Sequence, residues 1–327
     1  MRLVARASLL LLTLASAIAP GSAQTDAPAR FPSRAVRVVV PFPPGGPADI
    51  IARVVAQRMG ERWRQPVVVE NRPGANTAIG AQAVAKAPPD GHTLLAAMDT
   101  TLVMNPLLTG NLPYQVRDFA PITLLTRNMS LLVVRSDGPA TARELIAQAK
   151  AKPGKLNMGA GTITSRLGAL AFIRAAGIDV VLIPYKGSAE IVQGLLSGSV
   201  DFAFDSTASS LPQIQGGRFR ALAKYSRRPF PALPDLLSLA EATGLPELDE
   251  SATWIGLLAP AGTPSAIIDA IQREVADAYA EPATMEKLER AGMFAVKSTP
   301  AEFQAFIEVE TERWSKVIKD NPQIRLD

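Results

Sequence analysis

Apolar residues along this chain form short, nearly continuous runs that alternate with stretches in which apolar positions recur at helical spacing. The run AVRVVVPF at 35–42 is typical of a strand that is buried on both faces of a parallel sheet. After a turn rich in Pro and Gly, apolar residues such as Ile50, Val54 and Met59 lie opposite polar ones, which predicts an amphipathic helix. The repeated order of strand, turn and helix predicts an α/β fold with a largely parallel sheet.

This order occurs twice, on either side of the long apolar segment 120–137. The predicted strands lie at 35–42, 66–74 and 92–98 before it, and at 155–161, 180–185 and 200–205 after it. A further strand is expected within 253–264. The C-terminal segment 301–320 has Phe303, Ile307 and Trp314 on one side, so we expect a helix that packs back on the first unit.

The chain crosses between the two units near 123–133 and again near 252–258. Two α/β units joined by two crossings predict two lobes with a ligand cleft between them. We predict a first lobe of residues 24–125 plus 256–327 and a second lobe of residues 126–255. Two crossings also form a hinge, so we predict that the lobes close on the ligand.

The first 23 residues have the pattern of a secretory signal peptide. Arg2 and Arg6 precede an apolar run at 9–19, and small residues follow at 21–23. The alternative is an uncleaved N-terminal anchor, but no longer stop-transfer segment follows. We therefore predict a mature protein that begins near Gln24 and resides in the periplasm. No cysteine follows the signal, which argues against a lipid anchor.

The composition argues against several classes of function. The chain has no cysteine, which excludes disulfides, thiolate catalysis and cysteine-ligated metals. Its formal charge is +4, and Arg2 and Arg6 would leave with the signal peptide. The remaining charge of about +2 is mixed along the sequence and argues against a nucleic-acid partner. A mildly positive surface suits a small anionic ligand.

The turn after the first strand is a candidate anion site. Gly46 is expected to cap the following helix, Pro47 to occupy its first position and Asp49 its third. A glycine-rich bend that opens a helix directs free backbone N–H groups to one spot, and Gly45 and Gly46 let the backbone approach a ligand closely. For Asp49, closure of the helix cap is the favoured interpretation, and acceptance of a hydrogen bond from a ligand is the alternative.

The segment NMGAGTITSRL at 157–167 repeats this arrangement in the second unit. Small residues leave a strand, and the hydroxyls of Thr162, Thr164 and Ser165 precede or begin the next helix. Together they could surround one carboxylate with neutral donors. The segment matches a dinucleotide fingerprint only in part, because Thr164 stands where the third glycine belongs. A plain capped helix is the alternative.

Enzymatic signatures are scarce, and no cofactor is predicted. The only histidine, His92, follows the turn PPDG and is expected to be a surface or structural residue. The sequence has no G-x-S-x-G, no P-loop and no metal-binding histidine pair. A Ser–Lys or carboxylate mechanism stays open at this point. For Asp99, Asp201 and Asp205, near strand ends, capping or surface solvation is favoured over catalysis.

Several motifs in one order carry a family resemblance over essentially the whole mature chain. They are VRVVVPFPPGGPADIIARVVA, QPVVVENRPGA, AVAKAPPDGHTLL, IPYKGSAEIVQGLLSGSVDFAFD and GLLAPAGTP. Together they resemble the Bug-type receptors, the periplasmic substrate-binding proteins of tripartite tricarboxylate transporters. The resemblance implies a two-lobed periplasmic-binding-protein architecture of type II, with a ligand between the lobes. It also implies a small carboxylate ligand, such as a dicarboxylate, an acidic amino acid or an aromatic acid.

The resemblance implies site residues in four segments. These are the first-lobe loop 42–49, the segment after NRPGA, a gripping loop at 160–165 and the acidic residue that ends VDFAFD. The implied ligand-binding residues are Phe42, Gly45, Gly46, Asp49, Asn76, Thr77, Ala78, Ala160, Gly161, Thr162, Ile163, Thr164, Ser165 and Asp205. The chain departs from the family at 76–78, where members usually have further glycines and an Asn. Its gripping loop also lacks the following His of many members.

The sequence thus predicts a monomeric receptor that captures a small organic acid, delivers it to membrane transporter subunits and performs no chemical step. One alternative is a binding protein of the same kind that docks on a signalling sensor. The other is a periplasmic enzyme on the same architecture, which the lack of a nucleophile and base disfavours.

Overall fold

The computed structural model describes residues 31–246, 248, 252–290 and 293–319. The predicted signal peptide, 1–23, lies outside these residues. Among the helices of the described part, none combines the length and the apolar character needed to cross a membrane.

The first α/β unit contains three strands, each of which is followed by helical structure. Its elements are β1 (Val36–Val40), α1 (Pro47–Trp63), β2 (Val67–Asn71), α2 (Ala78–Ala85), β3 (Thr93–Met98), a π-helical segment (Thr100–Met104) and α3 (Asn105–Leu108). The prediction for the start of α1 is confirmed, because Gly46 is its N-cap and Pro47 its first residue. A proline suits that position because it lacks the N–H that the helix would leave unpaired.

The long strand β4 (Phe119–Arg135) leads into the second unit. That unit contains α4 (Ala142–Ala151), β5 (Asn157–Ala160), α5 (Ile163–Ala176), β6 (Val181–Pro184), α6 (Ser188–Ser197), β7 (Phe202–Ser206), α7 (Thr207–Gln215), β8 (Phe219–Lys224) and α8 (Leu239–Thr243). The chain returns through β9 (Ala252–Pro260) and continues with α9 (Ser265–Ala278), α10 (Pro282–Arg290), β10 (Phe294–Ala295) and α11 (Pro300–Lys319).

The strands form a mixed sheet in the order β2-β1-β3-β9-β4-β7-β5-β6, and β8 and β10 pair with β4. Pairing is parallel among β1, β2 and β3 and among β5, β6 and β7. It is antiparallel wherever β4 or β9 takes part. The prediction of a largely parallel sheet was therefore wrong for its centre. The strand that leaves the first unit and the strand that returns to it run in opposite directions and pair with each other.

β4 changes partners along its length. From Phe119 to Met129 it pairs with β9, and from Ser130 to Arg135 it pairs with β7 and β8. The first segment belongs to the half of the sheet that contains β1 to β3, and the second belongs to the half that contains β5 to β8. The predicted crossing at 123–133 contains this change, and the predicted crossing at 252–258 lies on β9. Loops at the strand ends of both halves meet beside these crossings.

The C-terminal helix α11 packs on the first half, as the sequence predicted. Phe303, Ile307 and Trp314 belong to a buried cluster that also contains Trp254 of β9 and Leu102 of the π-helical segment. The rings of Trp254 and Phe303 meet edge to face, with centroids 5.7 Å apart. Burial of these large side chains fixes α11 against the strands that cross between the halves.

Candidate functional site

A cleft lies between loops of the two halves and encloses about 630 Å³ of empty space, part of it open to solvent. We call it the first pocket. Its walls come from the start of α1, the starts of α5 and α6, the end of β7, and Ser130 and Thr253 on the crossing strands. Every helix that borders it presents its N-terminal end, so the walls carry backbone dipoles and short side chains more than fixed charges.

The first-lobe loop lines one wall with Phe42, Pro43, Gly46, Pro47 and Ala48. The N-cap residue of α1 is Gly46, which has no side-chain oxygen to accept the first-turn N–H groups of this helix. Such an end favours an anion, because the N–H groups and the helix dipole act together.

Asp49 supports this loop and does not line the pocket. Its Oδ2 accepts hydrogen bonds from the Gly45 N–H and from Nε of Arg53, each at 3.0 Å, and its Oδ1 accepts one from Nδ2 of Asn71 at 2.9 Å. Burial raises the pKa of Asp49, but hydrogen bonds from Arg53, Gly45 and Asn71 outweigh burial and hold the pKa below its usual value. These contacts fit the capping interpretation. They also hold Gly45 at a φ of +85°, a conformation that favours glycine.

The gripping loop lines the opposite wall with Gly161, Thr162 and Ser165. Thr162 is the N-cap of α5, and its hydroxyl accepts a hydrogen bond from the Ser165 N–H at 3.2 Å. The Ser165 hydroxyl donates to the Thr162 carbonyl at 3.0 Å and accepts from the Gly161 N–H at 2.9 Å. The hydroxyls at 162 and 165 therefore already order the loop before any ligand is considered.

A third loop, which we call the α6 loop (residues 186–190), also borders the first pocket, although the sequence did not predict it as part of the site. Gly187 is the N-cap of α6, no side chain caps this helix, and Gly187, Ser188 and Ala189 line the first pocket. The Glu190 carboxylate, which also lines the pocket, accepts a hydrogen bond from the Lys186 N–H at 3.0 Å. The signal was present in the segment IPYKGSAE, where a strand again ends at a glycine that opens a helix.

Asp205, at the end of β7, lines the first pocket and is only 2% exposed. Its Oδ2 accepts a hydrogen bond from the Ser210 hydroxyl at 2.6 Å, and its Oδ1 has no partner of normal geometry among the described residues. Burial raises the pKa of Asp205 to about 6, although the side chains of Ser188 and Ser210 and the Ser206 N–H oppose the rise. Asp205 thus places an acceptor, or at lower pH a donor, at the pocket wall.

A second pocket of about 690 Å³ adjoins the first and shares Phe42, Pro43, Gly161 and Thr162 with it. Its other walls are the segment 73–77, Thr100, Ile163, Arg166, Tyr185 and Lys186. The Thr77 hydroxyl accepts hydrogen bonds from Nδ2 of Asn105 at 3.2 Å and from the Thr101 hydroxyl at 3.0 Å. These two buried bonds hold the segment 75–77 in place. The two pockets are therefore neighbours separated by the residues they share.

The predicted site residues thus divide into three groups. Phe42, Gly46, Gly161, Thr162, Ser165 and Asp205 line the first pocket, and Asn76, Thr77 and Ile163 line the second, which also borders Phe42, Gly161 and Thr162. Gly45, Asp49, Ala78, Ala160 and Thr164 line neither pocket.

Thr164 is fully buried and lies against Asp99, which is also fully buried. Asp99 caps the π-helical segment, and its Oδ1 accepts the Thr100 N–H at 2.7 Å. Burial raises the pKa of Asp99 to about 7, although Thr164 and the Thr100 N–H oppose the rise. The capping role favoured for Asp99 is confirmed, and the pair joins the start of α5 to the end of β3.

His92 has the structural role that the sequence predicted. Its side chain is buried, and its Nε2 accepts a hydrogen bond from the Ser33 N–H at 3.3 Å. Its Nδ1 lies 3.0 Å from the Asp90 carbonyl oxygen. Asp201 likewise serves the fold, because its Oδ2 accepts a hydrogen bond from the Asn157 N–H at 2.7 Å. Neither residue lines either pocket.

Comparison with known protein families shows to which family the chain belongs. The family model described as "Tripartite tricarboxylate transporter family receptor" matches residues 51–322, which is most of the chain. The chain belongs to this receptor family. The resemblance to Bug-type receptors that the sequence motifs indicated is therefore confirmed.

Relatives of this receptor cover almost its full length. It is 40% identical over 293 residues to a UPF0065 protein in the tcbD-tcbE intergenic region of Pseudomonas sp. strain P51, across 88% of this chain and 86% of that protein. It is 35% identical over 317 residues to the protein BugT of Bordetella pertussis, across 94% of each chain.

Solved structures of similar receptors share its fold. The R. palustris protein Rpa4515 with adipate has a TM-score of 0.84 at 33% identity, covering 88% of this chain and 97% of that one. The periplasmic binding protein BugD has a TM-score of 0.82 at 32% identity, covering 89% and 98%. MatC from Rhodopseudomonas palustris with bound malate has a TM-score of 0.80 at 30% identity, covering 88% and 100%. The receptor therefore has the two-lobed α/β architecture of periplasmic binding proteins, and its family and neighbours are binding receptors, not enzymes.

Proposed function

We propose that this protein is a periplasmic receptor that captures a small carboxylate and delivers it to a tripartite tricarboxylate transporter without a chemical step. The observation that carries the proposal is the convergence of two helix N-termini, those of α1 and α6, on the first pocket, where each of these helices has a glycine as its N-cap. They belong to opposite halves of the sheet, so one anion between them would be held by both.

Helix ends suit the capture and release of an anion. The first-turn N–H groups of α1 and α6 lack intrahelical partners, and each helix places a partial positive charge at this end. On the α5 side the Thr162 hydroxyl has a proton to donate, whereas the Ser165 hydroxyl and the Gly161 N–H already form hydrogen bonds within the loop. Neutral dipoles hold a carboxylate through hydrogen bonds, and such charge-assisted bonds are stronger than neutral ones.

Asp205 extends this proposal to the polar groups of the ligand. Asp205 lines a pocket that would hold an anion, its Oδ1 has no partner of normal geometry among the described residues, and its pKa of about 6 lets it exist in either protonation state close to neutral pH. When ionised it accepts a hydrogen bond from a ligand hydroxyl, amino group or bound water. When protonated it donates one to a carboxylate oxygen.

The neighbours support this ligand class, because one solved structure contains adipate and another contains malate. Both ligands are small dicarboxylates. We further propose that the lobes are residues 24–125 plus 256–327 and residues 126–255, and that they close on the ligand. Closure would bring the first-lobe loop and the gripping loop onto one molecule.

A thermal-shift screen over monocarboxylates, dicarboxylates, tricarboxylates and amino acids tests the function. A ligand that binds only the folded state at about 100 times its dissociation constant stabilises that state by about 2.7 kcal/mol. We expect at least one organic acid to raise the melting temperature, and its neutral amide to have no effect. If no acid in the panel shifts the melting temperature, the carboxylate assignment is wrong.

A further inference from the structure

Arg166 lines the second pocket, and the proposed function assigns it no role. It lies on α5 directly after Ser165 and lines the second pocket, whereas Ser165 lines the first. Helix α5 therefore presents adjacent residues to the two parts of the cleft. A ligand that extends from the gripping loop into the second pocket would therefore meet Arg166.

The Arg166 side chain is partly buried without a counter-ion. Its Nε is inaccessible to solvent and has no hydrogen-bond partner, and its guanidinium forms no ion pair within the described residues. Burial alone lowers the pKa of Arg166, and no neighbouring carboxylate opposes this effect. Removing a cation from water without a partner is costly, so the position favours an arriving anion.

Other arginines of the described chain show the contrast. Arg53 pairs with Asp49 at 2.9 Å, and Arg62 pairs with Asp277 at 2.6 Å. Arg37 pairs with Glu70 at 3.2 Å. Each of these guanidinium groups meets a carboxylate of the protein itself. A guanidinium can bind a carboxylate through two parallel N–H groups, and Arg166 forms no ion pair with a carboxylate among the described residues.

The charges that line the second pocket have one sign. Arg166 and Lys186 are cationic, and none of the residues that line this pocket is acidic. The first pocket instead contains Asp205 and Glu190 and no cationic side chain. The two parts of the cleft thus offer an anion different groups: the first offers helix ends and hydroxyls, and the second offers fixed positive charge.

From this arrangement we propose that Arg166 binds a second anionic group of the ligand in the second pocket and thereby selects diacids over monoacids. The inference rests on the proposed function, in which the first pocket holds one carboxylate. A linear α,ω-dicarboxylate fits because its two charged ends are joined by an apolar chain. Phe42 and Pro43, which border both pockets, offer apolar surface to that chain.

The test is isothermal titration with linear dicarboxylates from succinate to suberate and with the monocarboxylate of the same carbon number for each. The variant is Arg166→Gln, and the matched control is Arg174→Gln, an exposed arginine on the same helix. We expect the parent and the control to prefer the best diacid over its monoacid. We expect Arg166→Gln to bind that diacid roughly 10- to 150-fold more weakly, with the monoacid affinity unchanged.

Each other outcome overturns the inference. If Arg166→Gln keeps the parent's preference, the residue does not read the second group. If it weakens both acids equally, its role is structural. If the parent binds monoacids and diacids alike, only the inference fails. If the parent binds no acid in the series, the proposed function fails with it.

Should Arg166→Gln not fold, Arg166→Lys keeps the charge without the planar fork, and we expect it to lose part of the diacid preference only.

Discussion

The backbone N–H of Gly45 donates a hydrogen bond to Oδ2 of Asp49 across 3.0 Å, and this contact closes the loop at the start of α1. The same oxygen accepts from Arg53, and Asn71 at the end of β2 binds the other carboxylate oxygen. The carboxylate therefore joins the first-lobe loop, α1 and β2. The loop that faces the first pocket is held from behind, on the side away from the ligand.

We predict that Asp49→Asn destabilises the protein without changing its fold. The substitution keeps the shape of the side chain but removes the charge that three donors share, at a cost of about 1–3 kcal/mol in the free energy of unfolding at pH 7. Because the folded-state pKa is below that of the unfolded chain, the stabilisation is present above a pH of about 4 and is lost as the pH falls through the folded-state pKa. Urea unfolding followed by circular dichroism measures the loss.

Asp137→Asn is the control for this prediction. Asp137 pairs with Arg135 at 3.1 Å, but both side chains are exposed, and such a pair contributes about 0–1 kcal/mol. Equal losses for the two variants would show that Asp49 contributes no more than a surface charge does.

Local signals in the sequence predicted much of the fold correctly. The apolar run of β1, Gly46 and Pro47 lie next to one another in the chain, so their pattern alone predicts a strand, a turn and a helix. The direction of β4 and β9 could not be predicted in this way, because strand pairing depends on residues far apart in sequence. The sequence did not predict helix α7 either, because Pro212 lies within it and three of its first four residues, Thr207, Ser209 and Ser210, are small and polar.

The site shows a similar limit. The sequence predicted that the hydroxyls of Thr162, Thr164 and Ser165 act together, because all three lie at the start of one helix. The helical rotation separates them: Thr162 and Ser165 face the first pocket, whereas Thr164 faces Asp99. The direction of each side chain depends on how α5 packs on the π-helical segment. That packing is a tertiary contact with no local signal.

This separation predicts different effects for two neighbouring substitutions. Ser165→Ala removes a hydroxyl that orders the gripping loop and faces the pocket, so we expect roughly 10- to 150-fold weaker binding of the best organic acid. Thr164→Val keeps the shape of a side chain that lies outside both pockets, so we expect less than about a threefold change, well under 1 kcal/mol. Isothermal titration with the best acid from the thermal-shift screen measures both. A larger loss for Thr164→Val than for Ser165→Ala would contradict this assignment of the α5 face.

The close contact between Gly256 of β9 and Phe303 of α11 predicts a packing effect on stability. A Cβ at this position on β9 would lie 1.9 Å from Cζ and 2.5 Å from Cε1 of Phe303. The ring is held by Trp254 and cannot move away freely, so we expect Gly256→Ala to lower the free energy of unfolding by about 1–3 kcal/mol or more. Gly110→Ala is the control, since no atom lies within 4 Å of the added Cβ.

A second substitution tests whether the Phe303 ring is the cause. Phe303→Leu removes the atoms that the new Cβ would meet, so the combined Gly256→Ala and Phe303→Leu variant should lose less stability than the sum of the single losses. Strict additivity of the two losses in urea unfolding would show that the ring and the added methyl group do not interact.

The buried Asp99 predicts an opposite pH dependence to that of Asp49. Burial raises its folded-state pKa to about 7, whereas the unfolded value is near 3.8, so between these pH values the folded protein holds a proton that the unfolded chain has released. The contribution of Asp99 to the free energy of unfolding therefore becomes less favourable as the pH rises through this window, by about 1.4 kcal/mol for each pH unit. The full penalty is present above pH 7.

Asp99→Asn removes this titration but keeps an oxygen that can accept the Thr100 N–H. Glu310 raises the Asp99 pKa further and Arg313 lowers it, and both stay in place in the variant. We expect the melting temperature of Asp99→Asn, relative to the parent, to rise from pH 5 to about pH 7 and then to level off towards pH 8. The difference between the two proteins is the quantity to measure, because Asp205 titrates in the same range and contributes equally to both. Asp137→Asn, an exposed control, should differ from the parent by a constant amount. A constant difference for Asp99→Asn as well would mean that Asp99 keeps one charge state throughout, and that water or a shift of α5 solvates its carboxylate.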